Sequence, residues 1–390
     1  ITATGAITLL PPRLGADSLV ATFRNLNLAT LTGSGSPTNL QGRVLVSGSV
    51  DTLRAPEGSV RLSLGPSSVR EISIDSAYAQ LAVRDSIITV DTLAVVWANG
   101  DLAGSGTLGW ARPHQGSMSF EFEATSLAPF DSLVTALTGM EADSLLAQGL
   151  AGLARGTLEL TGSLDALVAS GEFVARDLAY RDIATREVTG SFEWSNTDRR
   201  NVTATIASPL VQYGDMEFQR IDVGASGRPD SLSWSGQVDV GTLSSISGGG
   251  LWWQPDSTQW ILQLDTLTAA LPAQRWRLIE PSRISVAEGA IEVTGLEMRP
   301  FVGGARLYLD GEIPRGRPGE LKVEGYGIDL RDVYGLIQRD TTGVTGTLGV
   351  DLEIGGTSRE PTITGTMTLG DARFGDFQAP FLQGVFNYED

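Results

Sequence analysis

The chain has 390 residues, of which 47 are glycine and 17 are proline, and hydrophobic residues make up 41% of it. Glycine is abundant, but the modest proline content and the large apolar fraction exclude collagen and a disordered chain. A formal charge of −18 has the wrong sign for a nucleic-acid partner, and the absence of cysteine excludes disulfides, thiolate metal sites and a cysteine nucleophile.

Apolar and polar residues alternate along the whole chain, which is typical of strands with one dry and one wet face. Turn signals such as Ala55-Pro56-Glu57-Gly58 recur about every ten residues and predict hairpins between short strands. We expect the dry positions to line one continuous interior. They are Val44 and Val46, Leu62 and Leu64, Ile72 and Ile74, Phe120 and Phe122, Leu158 and Leu160, Phe173, Leu262 and Leu264, Leu307 and Leu309, Val350, Leu352 and Ile354, and Ile363, Met367 and Leu369.

Helical spacing is a minor signal. Apolar residues three and four apart predict short helices near 130–153, where glycines interrupt the pattern, and a single turn is predicted near 331–338.

The chain also repeats itself at a long interval. Three glycines recur at an offset of 194 residues: Gly162, Gly171 and Gly190 correspond to Gly356, Gly365 and Gly384. The strand before them matches at an offset of 190 instead, since residues 156–160 resemble residues 346–350. A slip of four residues is therefore expected between the first strand and the rest of the repeat.

Neither end of the sequence has the features of a natural terminus. The chain starts without methionine in a predicted strand and stops within another, and no apolar run reaches the length of a membrane span. We expect an internal segment of a longer protein.

Catalytic candidates are few. His114, the only histidine, lies in a predicted turn, which leaves a triad or a histidine-based metal site nothing to build on. Glu121 and Glu123 share one strand face at a spacing that overlaps an inverting glycosidase pair, but two carboxylates on a wet face is the simpler interpretation. Residues 104–109 match GxGxxG, yet no helix is predicted after them. We predict no enzymatic activity, no cofactor and no metal.

Three phrases carry a family resemblance. Gly-Thr-Leu-x-Leu-x-Gly-Ser-Leu begins at Gly156 and is followed by Gly171-Glu172-Phe173, a related phrase runs from Gly355 to Gly365, and Trp276-x-Leu278-x-x-Pro281 stands between two predicted strands. These phrases resemble the AsmA-like and TamB family of Gram-negative envelopes. The phrase that begins at Gly156 departs from the pattern, because it has Leu167 where the related phrase from Gly355 has Pro361.

The resemblance implies an all-β fold: an elongated, meandering, mostly antiparallel sheet curled into a U-shaped groove, a β-taco with an apolar interior. It also implies a periplasmic segment of an inner-membrane-anchored protein that conducts phospholipid towards the outer membrane. The inner-membrane anchor and the contact with an outer-membrane barrel of the TamA/BamA type would lie outside this segment. Groove modules are expected at 1–116, at 117–316 with the helical insert 130–153, and from 317 to 390, as parts of one continuous rod.

Two other interpretations fit the same composition. An extracellular β-rich adhesin or passenger segment would share the glycine, the strands and the acidic charge, but would lack a lipid-filled apolar face. A carbohydrate-active enzyme on a β scaffold would need two convergent carboxylates in a cleft beside aromatic platforms.

Overall fold

The structure is a computed structural model, and it describes residues 1–10, 13–32, 37–51, 56–69, 72–130, 149–197, 201–256, 258–287, 289–357 and 361–389. It is 78% strand and 4% helix, and successive strands form a long antiparallel meander. The predicted all-β, mostly antiparallel class is therefore confirmed.

Residues 1–201 form the first of two compact units. Its strands are β1 (Thr2–Leu10), β2 (Arg13–Leu26), β3 (Thr38–Asp51), β4 (Glu57–Leu64), β5 (Ser67–Val69), β6 (Ile72–Arg84), β7 (Ile87–Trp97), β8 (Gly100–Gly109), β9 (Gly116–Ala124), β10 (Ala151–Ser163), β11 (Ala166–Tyr180) and β12 (Ile183–Ser195). Helix α1 (Leu28–Thr32) follows β2, and a 3₁₀ turn (Ala128–Phe130) follows β9.

Residues 202–390 form the second unit. Its strands are β13 (Asn201–Tyr213), which starts at the boundary, β14 (Met216–Arg228), β15 (Ser231–Val240), β16 (Ser244–Asp256), β17 (Gln259–Ala270), β18 (Arg275–Leu278), β19 (Ser282–Ala287), β20 (Ala290–Pro300), β21 (Arg306–Ile313), β22 (Gly319–Asp329), β23 (Val344–Gly356), β24 (Pro361–Phe374) and β25 (Phe377–Glu389). Helix α2 (Leu330–Leu336) lies between β22 and β23. The division into three modules stays a prediction.

Each unit is a meander in which a strand pairs with the strands before and after it in the chain. Two strands are interrupted: β4 and β5 both lie between β3 and β6, and β18 and β19 both lie between β17 and β20. A parallel bridge from Ser163 to Gly109 adds to the antiparallel pairs of the first unit.

The helix predicted near 331–338 is confirmed as α2, whose first turn is capped by the side chain of Asp329. The helical prediction for 130–153 is not confirmed. Residues 131–148 lie outside the described part of the chain, and residues 151–153 belong to β10, so the helical assignment is wrong there. Leu153 pairs with Arg176 on β11, and this cross-strand pairing outweighs the local helical spacing.

Contacts of α2 show that the sheet of the second unit curls. Gln338, just beyond the helix, accepts a hydrogen bond from the backbone N–H of Glu217 on β14 at 2.8 Å, and the Tyr334 ring lies 5.9 Å from that of Phe374 on β24. From β14 to β24 there are nine interstrand steps, through β15, β16, β17, β18, β20, β21, β22 and β23. In a flat sheet these steps would cover about 43 Å. Residues 330–338 span only about 12 Å, so this edge of the sheet closes around the helix.

The packed core of the second unit lies at this edge. Trp276 and Met298 are buried with Ala269 and Ala305, and half-buried apolar residues pack around them. A smaller cluster joins Leu330 of α2 to β23 and β24. The second cluster holds the helix against the sheet, and Trp276 of the first cluster is hydrogen-bonded to Asp332 of the helix.

Candidate ligand-binding faces

In the first unit, one face of the sheet is apolar from β3 to β12. Direct partners in antiparallel strands point to the same face, so the pairing can be followed from strand to strand. Val44 lies opposite Leu62, which lies opposite Ala79, and further along Phe120 lies opposite Leu158. The predicted residues on this face are Val44, Val46, Leu62, Leu64, Ile72, Ile74, Phe120, Phe122, Leu158, Leu160 and Phe173.

The second unit has an equivalent apolar face. Leu309 lies opposite Val323, which lies opposite Leu352, which in turn lies opposite Gly365. The predicted residues on this face are Leu262, Leu264, Leu307, Leu309, Val350, Leu352, Ile354, Ile363, Met367 and Leu369. Within each unit, the structure thus brings the predicted residues together on one face.

These faces are mostly half-buried. In β4 the apolar-face positions are half-buried and the alternate positions are exposed, and Met367 is 41% exposed. The largest fully buried side chains in the described residues are Asp332, Ser163 and Ser282, none of which is hydrophobic. A β-sandwich would bury its valines and leucines completely. The apolar faces therefore retain surface that a ligand could cover.

On the apolar face of the first unit, aromatic rings lie close to glycines of the neighbouring strands. A Cβ atom built at Gly171 would lie 2.8 Å from the Phe192 ring, and one at Gly156 would lie 2.6 Å from the Phe122 ring. The rings occupy the space where a side chain at these glycines would lie, so only glycine allows this close packing.

The repeat is visible in this packing. Leu158, Gly171 and Phe192 lie opposite one another on β10, β11 and β12, and Leu352, Gly365 and Phe386 do so on β23, β24 and β25. All three offsets are 194, so the expected slip to 190 in the first strand is wrong. Hydrogen-bond register, rather than the likeness of residues 156–160 to 346–350, fixes which positions are equivalent.

A cavity of about 380 Å³ deepens the apolar face of the first unit. Strands β1, β2, β3, β4 and β6 line it, with the apolar side chains of Ile7, Val46, Val60 and Leu81 and the backbone of Gly48 and Gly58. Its lining is predominantly apolar, which suits hydrocarbon better than a polar ligand.

The opposite faces are polar. Ser117 donates a hydrogen bond to Glu159 at 2.8 Å, and Lys322 forms an ion pair with Glu324 at 2.5 Å. The hydrogen bond from Lys322 holds the pKa of Glu324 below its ordinary value. The Glu324 carboxylate is therefore ionised at neutral pH, and such charged and hydrogen-bonded groups keep this side of the sheet wet.

The catalytic candidates lie on β8, on β9 and in the turn between these two strands. His114 is exposed in the turn after β8, and residues 104–109 form the end of β8 rather than a phosphate-binding loop. Glu121 and Glu123 border an open cleft with Arg155 and Glu172. The described residues contain no group of His, Cys, Asp and Glu side chains suited to a metal ion.

Sequence reasoning missed two features. Trp97 and Trp234 both lie on the apolar faces, opposite Ile74 and Gly250. Trp234 stands between Ser233 and Ser235, and this alternation was a usable signal, whereas Trp97 stands between Val96 and Ala98 and had none. The bond between Trp276 and Asp332, 56 residues apart, had no local signal.

Comparisons with protein-family models, curated proteins and solved structures find no match for this chain. In the described part of the chain, no helix combines the length and the hydropathy needed to cross a membrane.

Proposed function

We propose that this chain is a lipid-binding segment of a conduit that shields phospholipid acyl chains while they cross an aqueous compartment, the periplasm in the AsmA-like and TamB family that it resembles. The observation that carries the proposal is the apolar face that runs from β3 to β12 in register and stays half-exposed. The second unit has the same arrangement.

The energetics favour such a use. Exposing the two acyl chains of an ordinary phospholipid to water costs on the order of 25 kcal/mol, at about 0.8 kcal/mol per methylene. A face without a specific polar constellation accepts hydrocarbon of any shape, and the charged opposite face keeps the sheet soluble. The proposed role is transport without covalent chemistry, and contacts with an inner-membrane anchor and an outer-membrane barrel would be made by other parts of such a protein.

Photo-crosslinking in a Gram-negative host tests the proposal. A photoreactive residue at Leu158 or Leu352 should capture phospholipid, whereas the same residue at Glu159 or Glu353, one position along the same strands, should not. Mass spectrometry of the adduct identifies the lipid. Equal capture at both members of each pair, or none at either, would contradict the proposal, and absence of lipid would favour the adhesin interpretation.

A further inference from the structure

Large hydrophobic residues stand exposed at one edge of the second unit. We name this the α2 edge: it comprises α2 with Ile337 and Gln338 just beyond it, and the turns that join β15 to β16, β17 to β18, and β20 to β21. Val302 is 85% exposed, Leu243 59%, Phe301 53% and Ile337 51%. Turn tips are ordinarily polar, so four such side chains at one edge require an explanation.

These tips belong to one contiguous surface. Gln274, in the β17–β18 turn, donates its backbone N–H to Asp332 of α2 at 3.3 Å and lies beside Gly303 of the β20–β21 turn. A Cβ atom built at Gly241 would lie 3.5 Å from the Gln338 side chain, so the turn that carries Leu243 meets the end of the helix. The curl of the sheet brings these turns together around α2.

The opposite edge of the same unit differs. Its described turns contain Pro229 and Asp230, Pro255 and Asp256, and Arg315 and Arg317, all exposed and none of them large and apolar. Ile291, at the start of a strand there, is less exposed than the four tips, at 42%. The apolar tips are therefore a property of one edge rather than of turns in this protein generally.

Arginines flank the most exposed tip. Arg277 and Arg299 lie directly opposite each other on the polar face, beside the Phe301-Val302 turn. The Arg277 guanidinium sits 5.1 Å from the Phe301 ring centre, and Arg275 accepts the Phe301 backbone N–H through its carbonyl oxygen. Neighbouring cations opposite one another repel unless anions lie close, and only Arg299 has a described carboxylate partner, Glu297. In a chain with a charge of −18, this local excess of cations is complementary to an anionic partner.

We infer that the α2 edge docks on the surface of a phospholipid bilayer, with Phe301 and Val302 inserted at the headgroup level and Arg277 and Arg299 bound to lipid phosphates. Separate apolar tips on a curved edge fit a soft bilayer interface better than a flat protein surface, and guanidinium groups match phosphate geometry. This inference goes beyond the proposed conduit, because it concerns the edge of the sheet and not its apolar face.

Vesicle co-flotation of the whole chain tests the inference. Vesicles that contain phosphatidylglycerol should carry the chain to the top of a gradient. Phe301→Ser with Val302→Ser should reduce the bound fraction about tenfold, since two apolar side chains would no longer be buried. Arg277→Gln with Arg299→Gln should weaken binding and reduce its dependence on salt.

Matched changes at the opposite edge, Ile291→Ser and Arg315→Gln with Arg317→Gln, should leave flotation unchanged. Leu352→Asp separates this edge from the apolar face: it should also leave flotation unchanged, and a loss with this variant alone would assign the lipid contact to that face. Because the chain has no cysteine, a solvatochromic dye at Val302→Cys reports insertion directly. No blue shift with vesicles, or self-association that Phe301→Ser abolishes without any effect on flotation, would overturn the inference.

Discussion

The indole N–H of Trp276 donates a hydrogen bond to the carboxylate of Asp332 at 3.0 Å, across 56 residues of chain. The same carboxylate accepts the backbone N–H groups of Ala273 and Gln274 and is 1% exposed. One buried side chain thereby joins α2 to the β17–β18 turn and orients the tryptophan at the centre of the core. This contact holds the helix to the curled edge of the sheet.

Replacing Asp332 with alanine should destabilise the second unit by about 3 kcal/mol, because one buried and two half-buried donors lose their acceptor. Denaturant unfolding followed by tryptophan fluorescence measures the change. The matched control is Asp376→Ala in the exposed β24–β25 turn, which should cost less than about 0.5 kcal/mol. Similar costs for the two variants would show that Asp332 is not an anchor.

Gly171 and Gly224 make a second matched pair. An alanine at Gly171 would place its Cβ 2.6 Å from the Thr157 carbonyl oxygen and 2.8 Å from the Phe192 ring, whereas at Gly224 the nearest atoms are 4.0 Å away. Gly171→Ala should therefore cost about 1–3 kcal/mol and Gly224→Ala should be neutral or stabilising. Equal melting temperatures for the two variants would contradict the proposed fit of ring to glycine.

The sequence predicted the strands and the side of the sheet on which the alternating residues lie, because alternation with period two reports directly on one buried face. Leu158 and Leu352 were assigned from that pattern alone. The equivalence of positions between the two copies of the repeat was harder to predict. The likeness of short segments suggested an offset of 190 residues for the first strand, whereas the pairing of Leu158 with Gly171 and of Leu352 with Gly365 shows an offset of 194. The contact of Trp276 with Asp332 depends on how the sheet curls, and no local pattern encodes it.

The curl itself can be tested with thiols, since the chain has no cysteine. Gly241→Cys with Gln338→Cys places the two residues side by side, so a short bis-maleimide should link them intramolecularly. Gly241→Cys with Arg315→Cys should not react, because the two positions lie at opposite ends of strands about 30 Å long. Electrophoresis after partial proteolysis separates these outcomes, and efficient linking of the second pair would refute the assignment of edges.

Acid should weaken the start of α2. The hydrogen bond from the Arg331 side chain, with that from its backbone N–H, lowers the pKa of Asp329 against the opposing effect of burial. A carboxyl whose pKa is lower in the folded state stabilises the fold above its unfolded pKa, near 4, and this contribution is lost as the pH falls through the folded value. The free energy of unfolding should thus decrease below about pH 4, and Asp329→Asn, which keeps a capping side chain, should flatten that decrease. Asp376→Asn serves as the control, and an unchanged pH profile for Asp329→Asn would refute the linkage.

A charge on the apolar face should abolish lipid binding without unfolding the sheet. Leu160 and Leu352 are half-buried on the apolar faces of the first and second units. Lipid that covers Leu160→Asp or Leu352→Arg would bury an unpaired ion, at a cost of several kcal/mol even after relaxation.

Two control variants should retain lipid. Leu160→Met should bind lipid almost as the unchanged chain does, because hydrocarbon adapts to another apolar shape. Thr368→Arg places the same cation on the wet face of β24 and should also retain lipid. Mass spectrometry of the co-purified lipid, with circular dichroism as the check on folding, measures each variant. Full lipid content in both charged variants would mean that lipid does not lie along these faces.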